Sequence, residues 1–146
     1  MAYKNVSSAY KETRITTAGQ GQLIVMLYDE AIRQLTLAVE LMEKNKGNKE
    51  PGKIELISKA IMKTEEIITE LMVSLDFEQG GEISKNLFAL YTWFNRELLE
   101  SNISQDIERI VEVKKLIVEL RNAWNAISQN IVEQPNREAV GLNIAG

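Results

Sequence analysis

Residues 22–45 read QLIVMLYDEAIRQLTLAVELMEKN, and their spacing decides the fold class. Apolar side chains recur at Ile24, Tyr28, Ala31, Leu35, Ala38 and Met42, in steps of four and three. That period places them on one face of an α-helix, with Asp29, Arg33 and Glu40 between them. A strand would need alternation of period two, which the stretch lacks.

Downstream of this helix, Asn45-Lys-Gly-Asn-Lys-Glu-Pro-Gly52 gathers helix-stopping and turn-forming residues and reads as a loop. A second helix follows with a seam of Ile54, Ile57, Ile61, Thr64, Ile68, Leu71 and Leu75, closed by the turn residues 76–81. The third is expected to start after Gly80-Gly81 and to run to about Asn102, burying Ile83, Leu87, Leu90, Tyr91, Phe94 and Leu98. Ser104 is the expected N-cap of the fourth, with Asp106 in its first turn near the positive end of the helix dipole. Its seam is Ile110, Val113, Ile117, Leu120, Trp124, Ile127 and Ile131, and Pro135 stops it. Upstream, residues 1–19 read as a polar arm carrying Tyr3, Val6, Tyr10 and Ile15. Short loops between long amphipathic helices force neighbours to run in opposite directions. The expectation is an all-α, antiparallel four-helix bundle with an N-terminal arm or cap. The 146 residues form a single domain: arm 1–19, bundle 20–132 and a tail at 133–146.

Composition narrows the chemistry. Histidine and cysteine are both absent, removing the commonest general base, the thiol nucleophile and the usual transition-metal ligands. No cofactor is expected, and no enzyme activity. A di-metal site of the ferritin type needs Glu-x-x-His pairs, so it is excluded too. Asp29-Glu30, Glu65-Glu66 and Glu66 with Glu70 read as a charged solvent face, because sequence neighbours on a helix diverge by about 100°, Arg33 lies one turn from Asp29 and Lys63 can offset Glu66. Gly19-Gln-Gly21 has no preceding strand and no following Gly-Lys-Ser/Thr, so it is no phosphate loop. A net charge of −4 with scattered Lys and Arg argues against nucleic acid. No apolar run reaches a membrane-spanning length, and no secretory signal precedes the helices, so membrane insertion is not expected and a cytoplasmic location is. The sequons at Asn5 and Asn102 then count as chance matches.

What is left over is apolar surface. Met26, Leu27, Leu37 and Leu41 in the first helix, Leu56 and Met72 in the second, Phe88 and Trp93 in the third, and Val111 and Val118 in the fourth all lie off the seams. Some of them widen the core face, and small bundles expose a share of such residues anyway. Together they point to a groove for an amphipathic partner helix, or to a bundle that self-associates. The arm bearing Tyr10 and Ile15 is placed to cover such a groove.

In order along the chain, Ala9-Tyr10, Ile15-Thr16, Leu23 to Ile32 with its Met-Leu-Tyr-Asp block, and Ile68 to Asp76 form a pattern. It continues through Gly80-Gly81-Glu82-Ile83, Asn86-Leu87, Leu90-Tyr91, Leu120-Arg121 and Ala123-Trp124. This order over residues 9–128 resembles the FliS family of flagellin export chaperones. The resemblance implies a cytoplasmic bacterial protein that binds the C-terminal segment of flagellin, which is disordered in the free subunit. It would prevent premature polymerisation and keep the subunit ready for the flagellar export apparatus, using no nucleotide. It further implies that the arm around Tyr10 and Ile15 packs on the bundle and moves when flagellin binds. Leu71, Leu75, Leu87, Tyr91 and Trp124 are the matched positions expected to meet the partner. The resemblance does not settle the charged loop 45–52 or the tail.

Overall fold

The computed structural model describes residues 19–133, with side chains for residues 21–129. The arm with Tyr10 and Ile15, the tail after Glu133 and the Ile131 side chain lie outside them. Four helices account for the described chain: α1 (Gly19–Asn45), α2 (Pro51–Val73), α3 (Phe77–Ser104) and α4 (Ile107–Glu133). Helix α1 packs on α2 and α4, and α3 closes the square by packing on the same two. The bundle expected from the sequence is therefore the fold.

Local chemistry sets the boundaries. In the first loop the buried Asn45 carboxamide accepts from the Glu50 backbone N–H at 2.9 Å, and Pro51 occupies the first turn of α2, where its missing N–H costs nothing. At the next turn Asp76 accepts from the backbone N–H groups of Glu78 and Gln79 at 3.0 and 3.1 Å. This cap starts α3 at Phe77, ahead of the glycine pair rather than after it. The pair instead makes a kink, with Gly81 at φ 50° and ψ −122° inside α3, a conformation only glycine takes readily.

Ser104 is not the cap of α4. It belongs to the last turn of α3, its hydroxyl donating to the Glu100 carbonyl at 2.9 Å. Gln105 then adopts the left-handed conformation and Asp106 N–H returns to the Ser101 carbonyl at 3.2 Å, an αL-type helix ending. Asp106 takes the capping role, accepting from Arg109 N–H at 3.4 Å.

The core is built from the expected seams. Tyr28, Ala31, Leu35, Ala38 and Met42 of α1 meet Ile57, Ile61, Ile68 and Leu71 of α2, Tyr91, Phe94 and Leu98 of α3, and Ile110, Val113 and Ile117 of α4. Two phenol hydroxyls sit in this apolar interior and bond to each other. Tyr28 and Tyr91, on diagonally opposite helices, are hydrogen-bonded at 2.5 Å. Burial pushes both phenols above the usual tyrosine range; at Tyr28 the proximity of Tyr91 adds to the rise while a hydrogen bond with Trp124 opposes it. Ile83 and Ile127, expected in the seams, are exposed instead. Ile83 follows the Gly81 kink, which changes the direction of the helix carrying it.

Candidate functional site: the two flanks of helix α3

The chemistry of the surface concentrates on α3. Its buried stripe, Ser84, Tyr91, Phe94, Leu98 and Ser101, faces the core. Beside it runs a second stripe at steps of four and three: Phe88, Thr92, Asn95, Leu99 and, one turn on, Ile103. Phe88, Leu99 and Ile103 are exposed, the last to 78%.

Contacts between helices show which way this stripe faces. Ser58 of α2 donates to the Asn102 side-chain carbonyl at 2.9 Å, and the Asn95 amide nitrogen donates to Thr69 of α2 at 3.4 Å. The stripe therefore borders α2, whose own exposed apolar residues Met62 and Val73 lie on the same side. Phe77 stacks edge-on against Phe88 with ring centroids 6.0 Å apart, extending the apolar surface at one end. The result is a shallow groove between α2 and α3, apolar at both ends and polar midway.

The other flank of α3 borders α4. Arg109 of α4 reaches Glu100 at 2.5 Å and Glu97 at 3.9 Å, which sets the antiparallel register. That register carries Leu116 and Leu120 of α4 alongside Leu90 and Leu87 of α3, all half-buried at the margin of the core. Trp93 lies farther out on the same side of α3, packed tilted on Phe94 with centroids 5.9 Å apart. By contrast the α1–α4 seam is drawn tight. Gly21 lies close to Ser128, where an added Cβ would sit 3.3 Å from the serine side chain, and Asp29 pairs with Arg121 at 2.8 Å.

The residues singled out from the sequence fall into three settings. Leu71 and Tyr91 are in the core, 1% and 2% exposed. Leu75, Leu87 and Trp124 are half-buried and pack on its edge. Tyr10 and Ile15 lie outside the described residues. The sequence reading picked out Phe88 but passed over Met62, Val73, Phe77, Leu99 and Ile103. Their signal was a helical stripe running next to the seam, at 88, 92, 95 and 99. Among the described residues no cluster of carboxylates is arranged to hold a metal ion, and no helix is long and apolar enough to cross a membrane.

Comparison with known proteins places this architecture. The family model described as flagellar protein FliS matches residues 2–131. The flagellar secretion chaperone FliS of Escherichia coli K12 is 34% identical over 126 residues, covering 85% of this chain and 88% of that protein. The protein of the same name from Salmonella typhimurium is 35% identical over 137 residues, covering 93% and 94%. That of Bacillus subtilis is 28% identical over 141 residues, covering 97% and 98%.

Proposed function

The chain belongs to the FliS family of flagellar proteins, and from that premise we propose that it is a cytoplasmic export chaperone for flagellin. Its relatives are named as secretion chaperones, not as enzymes. In this reading the protein binds the disordered C-terminal segment of flagellin, keeps it from polymerising prematurely and holds it ready for the flagellar type III export apparatus. The apolar residues exposed on the α2 flank of α3, with the half-buried ones on its α4 flank, carry the reading for this chain.

The physics suits the task. A segment that is disordered alone can fold as an amphipathic helix against a groove, burying apolar side chains spaced one turn apart. It gives up ordering entropy as it does so, which keeps the complex reversible despite a large contact surface. Leu75, Leu87 and Trp124 at the margin of the core, with Phe88 and Leu99 on the open flank, supply the apolar contacts. Leu71 and Tyr91 act from behind, by holding the helices that present them. Tyr10 and Ile15 belong to an arm that competes with flagellin for the same surface.

Isothermal titration calorimetry of this protein against monomeric flagellin of the same organism tests the reading. Binding with a negative heat-capacity change and a gain in helicity by circular dichroism is the expected result. No heat of binding at micromolar concentrations overturns it.

A further inference from the structure

The middle of the α2–α3 groove holds a polar group that the folded chain leaves underused. Asn95 can make up to four hydrogen bonds through its carboxamide. Its nitrogen makes one, a long contact of 3.4 Å to Thr69, whose own hydroxyl is already donated to the Glu65 carbonyl. Its Oδ1 is buried and has no hydrogen-bond partner among the described residues. An orphaned acceptor of this kind costs stability, so a bundle selected only for stability would carry an apolar side chain here.

The surroundings say what would complete it. Glu65 stands one turn before Thr69 on α2, and the four-residue spacing puts it on the same face of the helix as Thr69. Burial holds its carboxyl above the usual range, and no ion pair to it is present among the described residues. Two acceptors therefore stand at the centre, and the apolar ends, Phe88 with Val73 and Leu99 with Met62, lie on either side. Phe88 and Leu99 are eleven residues apart on one helix, roughly 16 Å at 1.5 Å per residue. The long Thr69 contact is weak, so turning the Asn95 amide toward an incoming group sacrifices little.

We propose that Asn95 and Glu65 form a recognition point that selects a partner helix with a lysine or arginine midway between two apolar anchors about three turns apart. The inference rests on the chaperone reading and identifies the partner helix as part of flagellin. A cationic donor is the matching chemistry, because both waiting groups accept and one carries negative charge. The apolar ends supply affinity, whereas the centre supplies discrimination. A helix with a carboxylate or a plain methylene at this turn leaves the two acceptors desolvated and unpaired.

Calorimetry with monomeric flagellin of the same organism, run beside thermal melts of the free chaperone, tests this. Asn95→Leu is expected to melt at or above the wild-type temperature while losing tenfold or more in affinity. Asn95→Asp keeps the acceptors and is expected to bind within threefold of wild type. Replacing the lysines and arginines of the flagellin C-terminal segment one at a time with methionine should reveal one whose loss matches that of Asn95→Leu and adds nothing to it. Wild-type binding with Asn95→Leu within twofold, or full additivity with every cation, overturns the recognition point and leaves the chaperone reading standing. Failure of the wild-type protein to bind flagellin overturns both.

Discussion

Tyr28 and Tyr91 illustrate how the core accepts polar groups. Each hydroxyl is out of reach of bulk water and finds its partner across the diagonal of the bundle. Tyr91→Phe removes this bond and leaves Tyr28 its hydrogen bond with Trp124, so it should cost about 1 kcal/mol in urea unfolding. The double variant with Tyr28→Phe should cost no more than the worse single, since it leaves no unpaired hydroxyl between the two. Both phenols are raised in the folded state, so the unfolded chain loses its tyrosine protons first. Stability from this source is present below about pH 10 and declines as pH rises beyond it. Glu65 obeys the same sign at the acid end. Its folded carboxyl is raised by burial, so its favourable contribution is full below the unfolded range near pH 4 and is lost as pH rises through the folded value. Glu65→Gln should therefore melt higher than wild type at pH 7, and melts at pH 3 should show the difference gone. Tyrosine pairing was not legible beforehand, because spacing places each residue on a core face without saying which residues meet across the bundle.

At the level of elements, the helices were readable because period 3.6 is strong in all four, and the loops because Gly, Asn and Pro interrupt it. The errors fell on caps. Gly80-Gly81 looks like a helix start, yet Asp76 captures two backbone N–H groups four residues earlier and the helix begins there. Ser104 and Asp106 both satisfy the preference for a cap, and the left-handed turn at Gln105 decides between them. The kink at Gly81 requires φ 50°, so Gly81→Ala should destabilise the bundle by about 1–2 kcal/mol in chemical denaturation. An equal stability for that variant would mean that α3 straightens at no cost.

For the whole molecule, the division of labour lies between a tight half and an open one. The α1–α4 seam is closed by Gly21 on Ser128 and by Asp29 with Arg121, while α3 presents apolar residues on both flanks. The candidate site was legible in part. Leu75, Leu87 and Trp124 were found at the edge of the core, but the open stripe beside them was mostly missed, because an exposed leucine and a buried one look alike until the neighbouring helix is in place. A charge placed in that stripe should separate folding from binding. Leu99→Asp is 52% exposed at its site and should shift stability by no more than about 0.5 kcal/mol, as surface changes do. Its affinity for flagellin should fall at least tenfold.

The central claim is that this bundle holds a flagellin segment and does not merely pair with itself. Multi-angle light scattering across a concentration series, with and without monomeric flagellin, measures that directly. The account predicts a discrete complex of one chaperone and one flagellin that persists on dilution, with flagellin held from assembling. A tight chaperone dimer that ignores flagellin would contradict it.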